Sequence, residues 1–281
     1  MASTSTAPAV ALTAFEHLTL VLPAFNEAAR IGPALDELFT WLTGPGTAVE
    51  PPLPPRIRVL VVDDGSTDRT AHLVLDRPEA ALPEDAPLRL ELLRVPHGGK
   101  GAAVRAGMLA GTGDVLVFTD ADMATPPSQI PKLLAALAGD GTAASDGTAA
   151  RPGADVALGS RIQPDGSDMR ASQPGYRRLL GRLFHVLASI WVVGPVEDTQ
   201  CGFKGFRRAA AREIFGRQRI TSYVFDVELI HLARRLGCRL EIVPVAWTDA
   251  HGSRLRPSLR LALRVAWDLF RIPLLHLRVR G

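Results

Sequence analysis

Short apolar runs alternate with amphipathic stretches along the first two-thirds of the chain. The apolar runs are rich in Val, Leu and Ile and predict buried strands, while the stretches between them repeat apolar positions at helical spacing. The predicted strands are 18–22, 57–62, 88–95, 115–119 and 155–158, and the predicted helices are 28–42, 68–75, 100–110 and 127–137. This alternation favours an α/β fold, in which helices cover both faces of a mostly parallel central sheet.

Three low-complexity segments interrupt this pattern and are typical of surface loops. They are 44–55, 76–87 and 139–153. After residue 159 the pattern changes, because a polar loop at 163–175 precedes a basic apolar helix that begins at Tyr176. We expect residues 15–256 to form one domain with two halves, 15–161 and 162–256. The second half is expected to complete the sheet as an extension of the first.

The C-terminal segment 257–281 predicts a basic amphipathic helix and tail. Its helix is expected at 257–272, with Leu259, Leu263, Ala266, Trp267 and Phe270 on an apolar face. Arg260, Arg264, Asp268 and Arg271 form a narrow polar stripe. A basic helix that contains Trp is typical of a membrane interface. The alternative is a helix that packs on the sheet with its arginines in water.

Composition places the chain among ordinary globular proteins. Of its 281 residues 47% are hydrophobic and 22% charged, and the net charge of +3 with 6% aromatics gives no indication of nucleic-acid binding. Cys201 and Cys238 have no metal-site or disulfide spacing and indicate a reducing compartment. Residues 1–14 predict a disordered start rather than a signal peptide, and no run is long enough to span a bilayer. These observations predict a soluble or peripheral protein.

The most informative feature is the sequence Asp120-Ala121-Asp122 at the end of an apolar strand. Alternation along a strand points residues i and i+2 to the same side, so we expect Asp120 and Asp122 to face one point. Two carboxylates at that edge suit a hard divalent cation, which can also hold a substrate diphosphate. An isolated D-x-D is more often an ordinary acidic loop.

Polar groups also follow the other predicted strands, and in a parallel sheet these ends share one edge, where ligands bind. They are PAFNE at 23–27, DDGSTD at 63–68, HGGKG at 97–101 and GSR at 159–161. Asp63 or Asp64 can accept hydrogen bonds from a ribose or a base, and the glycines before Lys100 open a helix whose free amides suit phosphate. This loop is not a Walker motif, because Arg94 stands in place of the first glycine.

Together these motifs resemble family 2 glycosyltransferases of the GT-A (Rossmann-like) fold. TDADMATP at 119–126, GSR at 159–161 and DTQCGFK at 198–204 are similar to the dolichyl- or polyprenyl-phosphate glucose synthase branch. So are FDVEL at 225–229, VPV at 243–245 and GSR at 252–254. The resemblance covers about residues 18–256. In related mannose synthases a glutamine often stands where this chain has Ala124, which agrees better with the glucose branch.

The resemblance implies an inverting transfer of a hexose, expected to be glucose from UDP-glucose, to polyprenyl or dolichyl phosphate, which gives a β-linked product. It implies that 15–161 is the donor half and 162–256 the acceptor half, and that Asp120 and Asp122 hold Mg²⁺ or Mn²⁺. The catalytic candidates are Asp120, Asp122, Arg161 and Asp198. The donor-binding candidates are Pro23, Asn26, Glu27, Asp63, Asp64, Lys100, Gly101, Asp120, Ala121 and Asp122.

A phosphate monoester is mostly dianionic at pH 7 and needs no strong general base, but it needs cations that bring it close to the donor diphosphate. The acceptor-phosphate candidates are Arg161, Arg177, Arg178 and Arg182, which could alternatively form a solvated basic face. Asp198, Asp226 and Glu228 could orient the donor sugar, position these arginines or pair with Lys204. Alternative hypotheses are a mannose or hexosamine donor, a different soluble or lipid acceptor, and a non-catalytic nucleotide-binding module.

Overall fold

The computed structural model describes residues 14–50, 52–139, 152–169, 188–194, 196, 198–248 and 259–279. These residues form one seven-stranded sheet with helices on both faces. The strands are β1 (His17–Ala24), β2 (Arg56–Asp63), β3 (Leu88–Arg94), β4 (Val115–Thr119), β5 (Val156–Ser160), β6 (Phe203–Arg207) and β7 (Leu240–Pro244). The helices are α1 (Ile31–Thr43), α2 (Thr70–Leu75), α3 (Lys100–Ala110), α4 (Ile130–Ala138), α5 (Arg208–Arg217), α6 (Phe225–Arg235) and α7 (Leu259–Leu275).

The sheet has the order β3-β2-β1-β4-β6-β5-β7, and only β6 among these strands runs antiparallel to its neighbours. The predicted mostly parallel α/β sheet is therefore confirmed. All five predicted strands and all four predicted helices are present, although the fourth helix starts with a 3₁₀ turn at Pro127–Gln129. The strands β6 and β7 lie in the second half of the chain and complete the same sheet.

Alternate side chains of the central strands enter two separate apolar cores. On β1, Leu20 and Leu22 belong to one core and Val21 to the other. On β4, Val117 and Phe118 divide in the same way. Because both faces are covered, every second residue cannot be polar, which explains the continuous apolar runs of the sequence.

Helix α3 approaches the sheet closely at Gly107. A Cβ at this position would lie 2.7 Å from Cγ2 of Val62 and closer still to Val21. Only glycine permits this approach, so it fixes the distance between α3 and the strands β1 and β2. The approach also places the first residue of α3, Lys100, at the carboxyl edge of the sheet.

The C-terminal helix α7 extends further than expected, since it continues through Pro273 to Leu275. Leu269 and Ile272 are buried, and the helix packs on α6 and on the short helical segment Ser189–Val193. Asp268, expected in the polar stripe, is only 3% exposed and accepts a hydrogen bond from the Ser222 hydroxyl at 2.6 Å. The stripe is therefore exposed at Arg264 and buried at Asp268.

The outer face of α7 carries exposed Leu263, Trp267 and Phe270, which belong to the predicted apolar face. Helix α7 therefore packs on the domain through one face and exposes Leu263, Trp267 and Phe270 on the other. None of the helices that the structure describes combines the length and apolar character needed to cross a bilayer. The expected disordered start at 1–14 lies outside the described residues except for Ala14, and so does the expected helix from Tyr176.

A buried ion pair joins the sheet to α6. The Lys204 ammonium on β6 donates to Asp226 Oδ1 at 2.6 Å and to the Cys201 carbonyl at 2.5 Å. Both side chains are almost fully buried. Burial raises the pKa of Asp226 even though Lys204 and Lys100 act in the opposite direction.

We expect Lys204→Met to destabilise the protein by about 3–5 kcal/mol, because it leaves the Asp226 carboxylate buried without its cation. The double variant Lys204→Met/Asp226→Leu is expected to recover most of this loss. Urea denaturation followed by circular dichroism measures both free energies of unfolding. The control is Arg217→Ala, which breaks the exposed pair with Glu213 and is expected to cost less than about 1 kcal/mol. Equal losses in the single and double variants would contradict the prediction.

Candidate active site

A cavity of about 800 Å³ opens at the carboxyl edge of the sheet, beside the start of α3. Residues from the ends of β1, β2 and β4, from the loop before α3, from the loop before α6 and from α7 line it. They are Pro23, Ala24, Phe25, Glu27, Arg30, Asp64, His97, Gly98, Gly99, Lys100, Ala103, Asp120, Ala121, Asp122, Thr221, Ser222, Tyr223 and Arg264.

The two carboxylates of the D-x-D sequence lie in a turn and not on the strand. Strand β4 ends at Thr119, and the Met123 amide donates to the Asp120 carbonyl at 3.2 Å. Met123 has a φ of 50°, and the following amide, that of Ala124, donates to Asp122 Oδ1 at 3.1 Å. Asp120 and Asp122 do face the same cavity, as expected, but strand alternation is not the reason. The turn places both in the cavity.

Gly202 forms the surface against which the Asp120 carboxylate rests. A Cβ at Gly202 would lie 2.6 Å from the carboxyl carbon of Asp120. The backbone of Gly202 is outside the left-handed region, so the requirement for glycine comes from space alone. The segment before β6 thus positions the first carboxylate of the D-x-D turn.

Charge is divided unequally between the two carboxylates. The Lys100 ammonium lies 2.6 Å from Asp120 Oδ1. Burial alone would lower the pKa of Lys100, but Asp120, Asp226 and Asp122 together raise it, so Lys100 is a cation here. Burial and the charge of Asp120 raise the pKa of Asp122, and this exceeds the opposite effects of the Ala124 amide, Lys100 and Arg30.

This donor set fits a hard divalent cation. Asp120 and Asp122 supply carboxylate oxygens, and their mutual repulsion is the kind that Mg²⁺ or Mn²⁺ relieves. Within the described ranges no three Asp, Glu, His or Cys side chains gather closely enough to form a complete metal cage. Asp120 and Asp122 can thus supply two oxygen ligands from this turn.

Asp64 shapes the loop that opens α3. Its two carboxylate oxygens accept the Gly98 and Gly99 amides at 2.8 and 2.9 Å, and His97 Nδ1 lies 2.8 Å from Oδ2. Gly99 has a φ of 93°, a backbone conformation that glycine adopts without strain. The amides of Gly98 and Gly99 are used by Asp64, and those of Gly101 and Ala102 by the Thr221 and Gly99 carbonyls. The charged group left for an anion at this end of α3 is therefore the Lys100 ammonium.

Asp63 and Asn26, both donor candidates, lie outside the cavity wall and hold the turn that follows β2. Asp63 is fully buried, where its Oδ1 accepts the Ser66 amide at 2.9 Å. Asn26 has a φ of 54° and accepts the Thr67 amide at 2.8 Å. Neither residue lines the cavity, nor does Gly101, whose Cα faces Phe225 and Thr221.

One wall of the cavity is aromatic and another is charged. Phe25 stacks on His97 with ring centroids 4.1 Å apart. Glu27 and Arg30 form a two-bonded ion pair, with its shorter contact at 2.6 Å. The sequence interpretation did not include Arg30 or Tyr223 in the site. The spacing of Glu27 and Arg30 by three residues was the available signal for Arg30.

Arg161 and Asp198 form a pair beside the cavity and not in its wall. The guanidinium contacts both carboxylate oxygens, with Nε at 2.8 Å and Nη2 at 2.7 Å, and Trp247 lies under it with its ring centroid 5.6 Å away. Burial alone would lower the pKa of Arg161, but Asp198 raises it. In the same cluster, burial raises the pKa of the Cys201 thiol to about 11, so this thiol is neutral.

The remaining candidates are distributed as follows. Arg177, Arg178 and Arg182 lie outside the described residues. Glu228 accepts the Arg219 and Ile220 amides at 2.9 and 2.8 Å and pairs with His276 of the C-terminal segment at 2.7 Å. Asp198 contacts Arg161 and Asp226 contacts Lys204, so both acids pair with a cation, whereas Glu228 contacts backbone amides and His276.

Comparison with known proteins identifies the family of this arrangement. A model described as glycosyl transferase family 2 matches residues 19–215. Dolichyl-phosphate beta-glucosyltransferase of Drosophila melanogaster is 35% identical over 258 residues, which cover 91% of this chain and 74% of that protein. The protein of the same name from Saccharomyces cerevisiae is 32% identical over 264 residues, with 92% and 75% covered.

Solved structures share the fold. Glucosyl-3-phosphoglycerate synthase from Mycobacterium tuberculosis, in complex with Mn²⁺, uridine diphosphate and glucosyl-3-phosphoglycerate, superposes with a TM-score of 0.57 at 21% identity. The match covers 92% of this chain and 79% of that one. At this identity the likeness establishes the fold, and it confirms the predicted GT-A architecture.

We expect Asp122→Asn to raise the melting temperature of the metal-free protein at pH 7. The pKa of Asp122 is higher in the folded chain than in the unfolded one, so ionisation costs stability at pH values above the unfolded pKa of about 3.9. Asparagine removes the charge and keeps an oxygen for the Ala124 amide. Scanning fluorimetry in EDTA measures the shift.

The matched control for this variant is Asp165→Asn. Asp165 is exposed and its hydrogen bonds to Ser167 lower its pKa, so its replacement is not expected to stabilise the protein. Addition of Mn²⁺ and uridine diphosphate is expected to stabilise the wild type and not Asp122→Asn. If Mn²⁺ and uridine diphosphate stabilised the wild type and Asp122→Asn equally, Asp122 would be excluded as a metal ligand.

We expect Gly202→Ala to reduce kcat by about 10²-fold, because the added methyl group displaces the Asp120 carboxylate by a fraction of an ångström to an ångström. Its control is Gly216→Ala in α5, where a Cβ meets nothing within 4 Å. That variant is expected to keep full activity. Circular dichroism verifies that Gly202→Ala remains folded, and unchanged turnover would contradict the packing role of Gly202.

Proposed function

The chain belongs to glycosyl transferase family 2 and is a glycosyltransferase, and we propose that it transfers glucose from UDP-glucose to polyprenyl or dolichyl phosphate. The product is the β-linked lipid-phosphate sugar. The observation that carries this proposal is the cavity in which Asp120, Asp122 and Lys100 meet at the start of α3. The names of the relatives in fly and yeast support the glucosyl group and the lipid acceptor.

The donor nucleotide occupies the side of the cavity formed by β1, β2 and the loop before α3. Asp64 contacts the nucleoside from the cavity wall, and Asp63 positions the turn beside it through its hydrogen bond to the Ser66 amide. The diphosphate lies toward Lys100, whose positive charge the surrounding carboxylates maintain. The remaining donor-side residues are Pro23, Asn26, Glu27, Gly101 and Ala121.

Asp120 and Asp122 hold Mg²⁺ or Mn²⁺ together with the donor diphosphate. When bound, this ion neutralises the negative charge that develops on the leaving diphosphate. The chain's own contribution is the D-x-D turn, which keeps both carboxylates on one side, and Gly202, which limits where Asp120 can go.

The reaction is a direct displacement. An oxygen of the acceptor phosphate forms a bond to the anomeric carbon, the bond from that carbon to the diphosphate oxygen breaks, and the configuration inverts. No proton has to be removed, because the phosphate monoester is dianionic at pH 7. Arg161, held by Asp198, and Arg177, Arg178 and Arg182 counter the charge of the acceptor phosphate.

We place the enzyme at the cytoplasmic face of a membrane as a peripheral protein. Cys201 and Cys238 are free thiols, which agrees with a reducing compartment. A lipid acceptor requires that the cavity be reached from a bilayer.

Purified protein with labelled UDP-glucose, Mn²⁺ and polyprenyl phosphate is expected to form a product that extracts into organic solvent, because the sugar becomes attached to the lipid. Proton NMR of the product is expected to give the coupling constant of a β-anomer. Excess EDTA is expected to abolish the reaction, since it removes the counter-charge of the leaving group.

Parallel reactions with GDP-mannose and UDP-N-acetylglucosamine test the alternative donors, and 3-phosphoglycerate tests a soluble phosphate acceptor. Preference for another sugar would replace glucose in the proposal. Transfer to 3-phosphoglycerate without transfer to the lipid would replace the acceptor.

A further inference from the structure

Helix α7 reaches the cavity with one arginine. Arg264 lines the same cavity as Lys100, Asp120 and Asp122, although it is more than 140 residues further along the chain than any of them. Of the lysine and arginine side chains in this wall, Lys100 pairs with Asp120 and Arg30 pairs with Glu27. Arg264 is exposed and forms no ion pair with any residue that the structure describes. It therefore offers the cavity a positive charge that no described carboxylate neutralises.

The position of Arg264 on α7 lies between two different faces of the helix. At 100° per residue, Val265, Leu269 and Ile272 share the face that packs on the domain, while Leu263 and Trp267 share the opposite face. Asp268, one turn after Arg264, is anchored to Ser222, which also lines the cavity. This anchor fixes the rotation of the helix and hence the direction of Arg264.

The opposite face is an exposed apolar surface. We define the aromatic face as Trp191, Leu263, Trp267, Phe270 and Leu274. Phe270 stacks on both tryptophans, with ring centroids 5.8 Å from Trp191 and 6.0 Å from Trp267. The side chains of Trp191, Trp267 and Phe270 are 53, 60 and 48% exposed. Large aromatic side chains that stay stacked and exposed to solvent mark a binding surface rather than a core.

A bilayer surface is the occupant that agrees with this face and its surroundings. Tryptophan prefers the boundary between lipid and water, and the segment 259–279 carries four arginines and one acid, which matches an anionic membrane. The aromatic face and the cavity are adjacent on the surface of α7, because Arg264 and Trp267 are three residues apart and therefore neighbours on the helix. A phosphate held at the cavity by Arg264 would thus have its lipid chain beside the aromatic face.

We propose that Arg264 binds the phosphate of the lipid acceptor while the aromatic face of α7 rests in the membrane interface. This inference rests on the proposed function for the identity of the acceptor. It adds a binding residue from the C-terminal helix, and it assigns separate tasks to two faces of that helix.

The first test compares Arg264→Gln with Arg278→Gln. Arg278 is an exposed arginine just after α7 and does not line the cavity, so it controls for the loss of one positive charge. Arg264→Gln is expected to raise the KM for polyprenyl phosphate and for water-soluble citronellyl phosphate by about ten- to a hundredfold, because a charge-assisted hydrogen bond is lost. Arg264→Lys keeps the positive charge and is expected to have a KM between those of the wild type and Arg264→Gln.

The affinity for uridine diphosphate with Mn²⁺, measured by calorimetry, is expected to stay unchanged in Arg264→Gln. A weaker donor affinity with an unchanged acceptor KM would assign Arg264 to the donor and overturn the proposal. An acceptor KM no higher than that of Arg278→Gln would overturn it as well.

The second test separates the two faces. Trp267→Ser/Phe270→Ser is expected to lose sedimentation with vesicles of phosphatidylcholine and phosphatidylglycerol and to keep its activity on citronellyl phosphate. If the double variant lost both vesicle binding and activity on citronellyl phosphate, and its circular dichroism spectrum were that of an unfolded chain, the aromatic face would be part of the core. Retained vesicle binding would direct the search to a protein partner and overturn the membrane role.

Vesicle binding also distinguishes this inference from the proposed function. Polyprenyl phosphate added to the vesicles is expected to increase sedimentation of the wild type, and Arg264→Gln is expected to lose only this increment. If the wild type transfers no sugar to a prenyl phosphate but the increment is present and depends on Arg264, the proposed reaction is wrong and the phosphate site is correct. If the increment is absent in the wild type, the phosphate site is wrong.

Discussion

The ion pair between Lys100 and Asp120 joins the two structural elements on which the site depends. Lys100 begins α3, and Asp120 follows β4, so their contact at 2.6 Å requires that helix and strand be held at a fixed separation. Two glycines hold it: Gly107 lets α3 lie close to β1 and β2, and Gly202 leaves room for the Asp120 carboxylate. A side chain at either glycine would separate the cation from the carboxylates.

Charge repulsion is part of the same arrangement. Asp120 and Asp122 share a partly buried turn with one nearby ammonium group, and burial together with the charge of Asp120 raises the pKa of Asp122. A site that is electrostatically unfavourable when empty binds a divalent cation more readily, because the ion relieves the repulsion. The ionised Asp122 carboxylate therefore costs stability in the metal-free protein.

The second half of the chain is held in place by buried polar pairs as well as by apolar contacts. Arg161 forms an ion pair with Asp198 and Lys204 with Asp226, and the buried Glu228 carboxylate contacts the His276 ring. Each pair joins segments distant in the chain, and the last one ties the end of the C-terminal segment to α6. Since an isolated buried charge is costly, these pairs penalise any arrangement in which the segments separate. They also keep α7 beside the cavity, where Arg264 faces the site and the aromatic face meets solvent.

The sequence alone determined the fold class and the edge of the sheet at which the site lies. Continuous apolar strands that alternate with helices imply a parallel sheet covered on both faces, and the polar groups after each strand then share one edge. The motifs around Asp64, Lys100 and Asp120 are local in the chain, so the pattern identified them. The strands β6 and β7 were not predicted, because they lie among short mixed elements without a clear period.

Only the tertiary structure decided which side chains share the cavity and what each one contacts. Asp120 and Asp122 come together through a turn with Met123 in the left-handed region, which strand periodicity does not predict. Helix α7 has apolar residues on two faces, and hydrophobicity alone cannot tell which face is buried. In the folded chain Leu269 and Ile272 are buried and Trp267 is exposed, and the hydrogen bond from Ser222 to Asp268 is one of the contacts that hold this orientation. That contact joins residues 46 positions apart, so it exists only in the folded chain.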